Sequence, residues 1–298
     1  MIRSGSAKRA FAGIASGLLA LGALLIVPSA SLAAGVSLPS TGYWEVAADG
    51  GIFSFGGATF YGSMGGTQLD APIVGMAATP DGGGYWLVAS DGGVFAFGDA
   101  SFYGSTATQT LRAPIVGITS TPDGRGYWLV GADGGVFAFG DAGFFGSFPS
   151  QNPQTTGLPP WTVVGLVSSP DGRGYTLATS IGMGGYRYGD YGTCYVDIQG
   201  PLSVEPIGVA AVADQADNSC WVASFDGGVF TGGSAQFYGS MGQQALNAPI
   251  VSVALTADGG GYWLAASDGG IFAFGDAVFQ GSMGGTALNE PIVGIAAS

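Results

Sequence analysis

Short apolar runs alternate with glycine-rich polar turns along almost all of residues 42–298. Between positions 72 and 98 the runs are PIVGMAAT, GYWLVAS and VFAFG, separated by Pro-Asp-Gly and Asp-Gly-Gly. Short β-prone runs bounded by turn residues predict strands, and Asp-Gly between two of them predicts a hairpin with a type I′ turn. A fourth strand is predicted around residues 101–105. The pattern therefore predicts units of four short strands.

This unit is repeated along the chain. Residues 84–105 read GYWLVASDGGVFAFGDASFYGS and residues 126–147 read GYWLVGADGGVFAFGDAGFFGS, with four further copies of varying fidelity. The positions equivalent to Tyr85 are spaced by 42 to 48 residues: Tyr43, Tyr127, Tyr175, Cys220 and Tyr262. Four strands at this period fit one blade of a β-propeller. The sequence predicts an all-β fold, a six-bladed β-propeller with four-stranded blades.

The two ends of the repeat array complement each other. The array begins at residue 42 with a second strand and ends at 291–298 with PIVGIAAS, a first strand. Pairing of these two strands would complete the N-terminal blade and remove the open sheet edges, which predicts a closed ring and a monomer. The alternative is the same pairing between molecules, which would give strand-swapped oligomers or fibres.

The N-terminal segment differs from the repeats. Arg3, Lys8 and Arg9 precede an uncharged apolar run over 10–27, followed by small residues up to Ala34. This order is typical of a secretory signal peptide, predicted over 1–33, with a short linker at 34–41 and one propeller domain over 42–298. The protein is therefore expected to be secreted, extracellular or at the cell surface. The alternative is an uncleaved segment that anchors the chain in a membrane.

The composition and net charge exclude several classes of function. Charged residues make up only 9% of the chain, the net charge is −13, and there is no His. Such an acidic chain lacks the basic surface of a nucleic-acid binder, and the absence of His excludes Ser-His-Asp, Cys-His and His-ligated metal sites. Lys8 is the only Lys, so the predicted domain has none for a Ser-Lys pair. A non-catalytic protein is expected; the alternative is a carboxylate-based glycoside hydrolase or lyase.

The pattern PIVGIAATPDGxGYWLVASDGGVFAFGDA resembles a short repeat found, often in tandem, in exported actinobacterial proteins. It is similar in layout to WD40, YVTN and quinoprotein-type blades, in which Pro-Asp-Gly and Asp-Gly turns also separate the strands. The resemblance covers residues 42–298. It implies a propeller fold and no catalytic residues.

The repeated Asp and Trp residues each have two interpretations. Asp suits these turns, because its side chain can accept hydrogen bonds from nearby backbone N–H groups. This structural role explains the repeated Asp residues without a bound ligand, so no cofactor is expected. The alternative is a ring of carboxylates that binds Ca²⁺, as in a calcium-dependent lectin. The Trp residues are predicted to fill the core between blades rather than to stack on sugars: Trp44, Trp86, Trp128, Trp221 and Trp263.

The fourth repeat departs from the pattern. Its third strand reads YRYGDYG, which brings Tyr186, Arg187, Tyr188 and Tyr191 together, and Trp161 precedes the repeat. Arg among aromatic residues is typical of interfaces, which predicts a ligand-binding patch at these five residues. The alternative is a degenerate blade with a surface Arg.

The two cysteines, Cys194 and Cys220, are predicted to form a disulfide, because the predicted export places them in an oxidising compartment. The function expected from the sequence is a binding or structural module. The partners expected are cell-envelope polysaccharide or another exported protein.

Overall fold

The computed structural model describes residues 42–148, 162–180, 182–190, 206–208 and 219–298. The predicted signal peptide over 1–33 and linker over 34–41 lie outside these residues. The described residues belong to one compact unit, Leu38–Ser298. The regular elements among them are β-strands, so the predicted all-β class is confirmed.

Eighteen strands are present in the described part of the chain. Most are five or six residues long, the usual length of strands in globular proteins. In chain order they are β1 Gly42–Ala47, β2 Ile52–Gly56, β3 Ile73–Ala78, β4 Gly84–Ala89, β5 Val94–Gly98, β6 Ile115–Ser120, β7 Gly126–Gly131, β8 Val136–Gly140, β9 Val163–Ser168, β10 Gly174–Thr179, β11 Gly182–Gly189, β12 Pro206–Gly208, β13 Cys220–Ser224, β14 Val229–Gly232, β15 Ile250–Leu255, β16 Gly261–Ala266, β17 Ile271–Gly275 and β18 Ile292–Ala297.

These strands form six antiparallel sheets of three strands each. The sheets are β18-β1-β2, β3-β4-β5, β6-β7-β8, β9-β10-β11, β12-β13-β14 and β15-β16-β17. The middle strand of each sheet is buried along its whole length. The third strands β2, β5, β8 and β17 are half-buried or exposed beyond their first residue. Large apolar residues on both faces of the middle strand, such as Trp86 and Leu87, are buried, as expected for a sheet that is covered on both sides.

The first sheet combines the two ends of the described chain. Tyr43 lies opposite Ala297, Trp44 opposite Ala296 and Glu45 opposite Ile295, in an antiparallel register. The strand predicted at 291–298 thus lies beside the N-terminal strand of the repeats.

The first strands of the sheets contact one another in succession. β3 contacts β6, β6 contacts β9, β9 contacts β12, β12 contacts β15, β15 contacts β18, and β18 contacts β3. Small residues allow this approach: a Cβ on Gly75 would lie 3.8 Å from the Cα of Gly117, and one on Gly117 equally close to Gly165. A cavity of about 150 Å³ lies among these strands.

The predicted fourth strand is not present, so the prediction of four-stranded blades is wrong for the described repeats. Residues 101–105 have no strand structure, because side chains occupy their backbone groups. The Nε1 of Trp86 donates to the carbonyl oxygen of Ser101 at 2.8 Å, and the N–H of Tyr103 donates to the hydroxyl of Tyr127 at 3.2 Å. The segment crosses from one sheet to the next instead of extending its own sheet.

The Asp-Gly turns also differ from the predicted type I′ geometry, which requires positive φ at both central residues. Gly92 has φ of 81°, but no Asp in the described residues has positive φ. The Asp91 carboxylate instead accepts a hydrogen bond from the N–H of Gly93 at 2.8 Å. The same bond recurs at Asp49, Asp133, Asp226 and Asp268, so these side chains brace their turns, as the first interpretation expected.

The tryptophans lie between neighbouring sheets, which confirms the prediction that they are core residues. Trp44, Trp86 and Trp128 are completely buried, and Trp221 and Trp263 nearly so. Four of these rings pack against a Tyr of the next sheet: Trp44 on Tyr85 at 5.3 Å, Trp86 on Tyr127 at 5.7 Å, Trp128 on Tyr175 at 5.9 Å, and Trp263 on Tyr43 at 5.3 Å. The last and first sheets are therefore joined by the same Trp–Tyr packing that joins these other neighbouring sheets.

Candidate functional site

A phenylalanine is exposed at the equivalent position of five repeats. Large apolar side chains are normally buried, so a set of exposed ones at a fixed place is the informative exception. Their exposed fractions are 57% for Phe60, 60% for Phe102, 58% for Phe144, 55% for Phe237 and 56% for Phe279. We call these five residues the phenylalanine row.

The segment that carries each phenylalanine is fixed on both sides. Ser101, before Phe102, accepts the hydrogen bond of Trp86 from its own sheet, whereas Tyr103, after it, is bonded to Tyr127 of the next sheet. The same two contacts flank Phe60, Phe144, Phe237 and Phe279. The rings are thus held outward by rigid backbone, which reduces the entropy that a ligand would have to offset.

The tyrosine hydroxyl is the centre of this anchor. That of Tyr127 donates to the carbonyl of Gly104 at 2.6 Å and accepts from the N–H groups of Gly104 and Tyr103 at 3.1 and 3.2 Å. Burial raises the pKa of Tyr127. Gly104 has φ of 139°, and a Cβ there would lie 2.6 Å from the Phe139 ring, so both geometry and space require glycine. The Tyr127 hydroxyl is thus the hydrogen-bond partner of one backbone carbonyl and two backbone N–H groups.

We expect Tyr127→Phe to destabilise the fold by about 2 kcal/mol, because it removes the partner of three backbone groups while keeping the ring. The measurement is the free energy of unfolding from urea titration. Tyr103→Phe is the matched control, since its hydroxyl makes one bond, to the carbonyl of Gly124 at 3.1 Å. An equal loss for both variants would contradict the anchoring role.

Pairs of aspartates lie on the strand ends and turns that adjoin the segments carrying the phenylalanine row. Phe102 follows Asp99 by three residues, and Tyr103 contacts the turn that contains Asp123. The Thr121 hydroxyl and the Arg125 N–H hold the pKa of Asp123 below its usual value, whereas desolvation and the neighbouring Asp123 raise that of Asp141. Asp81 with Asp99 and Asp258 with Asp276 form similar pairs. All six carboxylates are exposed and offer hydrogen-bond acceptors.

The patch predicted in the fourth repeat is only partly described. Arg187 is exposed on β11. Tyr188 is buried, packs on the Tyr175 ring at 5.6 Å and occupies the position of Phe97 and Phe139, so it fills the core between two sheets. Tyr186 lies on β11, opposite Leu177, and Trp161 and Tyr191 lie outside the described residues. Ligand binding by this patch stays a prediction.

The cysteines are described only in part. Cys220 is buried at the start of β13, and the described part of the chain contains no free cysteine. Cys194 lies outside the described residues, so its pairing with Cys220 stays a prediction.

The described residues contain no cluster of three or more acidic or Cys side chains that could hold a metal ion. Nor does any helix within them have the length and apolar character needed to cross a membrane.

Comparison with known proteins shows a likeness in structure and none in sequence. No protein-family model matches the chain, and no curated protein is significantly similar in sequence. Among solved structures, the β-propeller domain of Cps50 (Swd1) from Myceliophteria thermophila is similar with a TM-score of 0.48 and 12% identity, over 86% of this chain and 82% of that chain.

Proposed function

We propose that the chain is a six-bladed β-propeller, closed by β18, that binds cell-envelope glycan through the phenylalanine row without catalysing a reaction. Closure is supported by the pairing of β18 with β1 and by the unbroken succession of contacts among the first strands. The Trp263–Tyr43 contact supports it as well, because it repeats the packing of the other sheet boundaries. Export by the N-terminal segment is part of this proposal.

The observation that carries the binding function is the exposure of five equivalent phenylalanine rings. Exposed carboxylates lie on the turns that are contacted by the tyrosines following Phe60, Phe102 and Phe237. The C–H face of a sugar is apolar and can stack on a ring, while its hydroxyls can donate to carboxylate oxygens. Five similar sites also suit a polymer of similar units, because linked contacts raise the overall affinity without strong individual sites.

An exported protein is the second candidate partner, since exposed apolar residues also mark protein interfaces. The separation of the rings among different repeats favours the glycan. A stable protein interface needs one well-packed patch, whereas a polysaccharide can use isolated rings.

The test is retention of the purified protein on insoluble cell-envelope polysaccharide and on a glycan array. We expect the triple variant Phe60→Ser, Phe102→Ser, Phe144→Ser to bind at least about tenfold more weakly, equivalent to ~1.4 kcal/mol. Val278→Ser is the matched control, because it removes an equally exposed apolar side chain that has no ring. It should bind within about twofold of the wild type, the range expected from a change well below ~1 kcal/mol.

Equal retention of the wild type and the triple variant would contradict the role of the phenylalanine row. Loss of retention on Arg187→Ala alone would instead favour the patch in the fourth repeat. Binding to an envelope protein and to no glycan would replace the proposed ligand with the second candidate.

A further inference from the structure

Glu45 is a buried acid at a position that other repeats fill with an apolar residue. It lies in the middle of β1, in GYWEVA, where the equivalent residues are Leu87, Leu129, Leu177, Val222 and Leu264. Its side chain is completely buried, and neither carboxylate oxygen has a hydrogen-bond partner. An ionised carboxylate in such a place is strongly disfavoured, so the environment selects the neutral acid.

Among the residues that the structure describes, no positive charge acts on Glu45. Asp268, in the turn between β16 and β17, raises the pKa of Glu45 by repulsion between the two carboxylates. Tyr43 is the other titratable group that interacts with Glu45. The backbone N–H of Met283 lowers the pKa of Glu45, although it lies outside hydrogen-bond geometry. Desolvation dominates, and the pKa of Glu45 rises from 4.5 to about 8.

The loop that faces Glu45 is also shifted relative to the other repeats. In four other repeats, the N–H of the residue equivalent to Met283 donates to the carbonyl of the glycine in the Asp-Gly turn. These residues are Met64, Thr106, Phe148 and Met241. In the last repeat the N–H of Gly284 takes that bond, with the carbonyl of Gly269, instead of that of Met283. The departure of Glu45 from the repeat is therefore matched by a departure in the segment beside it.

Glu45 lies at the pairing of β1 with β18, so its charge can affect this pairing directly. It lies directly opposite Ile295 of β18, and its neighbour Tyr43 packs on Trp263 of the last sheet. The pairing of β1 with β18 joins the two ends of the repeat array without a covalent connection between these strands. A charge on Glu45 therefore acts where the ring has to be closed by hydrogen bonds and packing alone.

We propose that Glu45 is a proton-operated latch: β1 stays paired with β18 while the buried carboxyl is neutral, and its ionisation in mildly alkaline medium releases β18. This inference rests on the ring closure proposed above and not on glycan binding. The step is a simple acid dissociation: the O–H bond of the carboxyl breaks, and the proton passes to water or buffer.

The sign of the pH dependence follows from the difference between the folded and unfolded states. The folded protein retains a proton that the unfolded chain has already released above pH 4.5, so stability falls as the pH rises toward about 8 and then levels off. Each pH unit in this range weakens the folded state by up to about tenfold.

The test uses a fluorescent peptide of the sequence PIVGIAAS, which copies residues 291–298 and can replace β18 when the latch opens. Incorporation is measured at pH 6 and pH 9, which bracket the pKa of Glu45. We expect the wild type to incorporate at least about tenfold more peptide at pH 9, because the ionised fraction changes from about 1% to about 90%. Glu45→Leu, which restores the residue of the other repeats, should incorporate little at either pH, and Glu45→Gln should lose the pH dependence.

Leu87→Glu is the matched control. It places the same acid at the equivalent position of β4, whose partner strands β3 and β5 belong to the same continuous stretch of chain. This variant should become less stable in alkaline medium, but its extra acid should not raise incorporation of the peptide above that of the wild type at pH 9.

The outcomes separate the latch from the closure on which it rests. Equally low incorporation by the wild type at both pH values would overturn the latch and leave closure intact. High incorporation at both pH values, by the wild type and by Glu45→Leu alike, would overturn closure of the ring as well.

Discussion

A chain that ends at Glu290 is expected to lose its stable monomeric fold. The deletion removes β18, which is the only strand that pairs with one edge of β1 and which contributes the buried side chains of Ile292 and Ile295. It also removes the contacts of β18 with β3 and β15. The exposed edge of β1 would then be free to pair with other chains, so we expect aggregation together with the loss of stability.

The measurement is circular dichroism with urea titration and sedimentation of the truncated protein. Addition of the peptide PIVGIAAS in trans should restore a cooperative transition, whereas a peptide of the same composition in scrambled order should not. A truncated chain that unfolds at the same urea concentration as the full chain would contradict a structural role for β18.

The second large effect is expected for Trp86→Ala, which should destabilise the fold by about 3–5 kcal/mol. Trp86 is completely buried, packs on Tyr127 of the next sheet at 5.7 Å, and donates to the carbonyl of Ser101 at 2.8 Å. Its removal would leave a cavity between two sheets and release the start of the segment that presents Phe102. The measurement is the free energy of unfolding.

Phe102→Ala is the control for this prediction. Phe102 is 60% exposed, so its removal should change stability by less than about 0.5 kcal/mol. Similar losses for Trp86→Ala and Phe102→Ala would show that the division between buried and exposed aromatic residues is wrong.

The strands and the repeat could be predicted from the sequence because apolar runs and turn residues recur with little variation. The Asp-Gly-Gly turns identified the hairpins, although the detailed turn type was wrong because the Asp side chain bonds to the N–H two residues ahead. The Trp positions could be assigned to the core, because equivalent residues fill equivalent gaps between sheets.

The predicted fourth strand shows where local pattern fails. SFYGS has the composition of a strand, but the hydroxyl of Tyr127, 24 residues away, occupies the N–H of Tyr103. A bond of this kind depends on the packing of two sheets, which a run of five residues does not reveal.

The candidate site was missed for a related reason. Phe102 looked like an ordinary strand residue, and its exposure follows from the crossing of its segment between two sheets. The sequence did contain a signal, because a phenylalanine recurs there in five repeats while the residue before it changes from Thr59 to Ser101, Gly143, Gln236 and Val278. The divergent fourth repeat instead predicts Tyr188 as a ligand-binding residue, whereas its side chain packs in the core.

Hydrogen exchange of the β18 amides, followed at several protein concentrations near pH 6, tests closure of the ring most directly. We predict slow exchange that does not change with concentration, because β18 pairs with β1 of its own chain. Exchange as fast as in an unfolded peptide, or protection that appears only at high concentration, would contradict the closed monomeric ring.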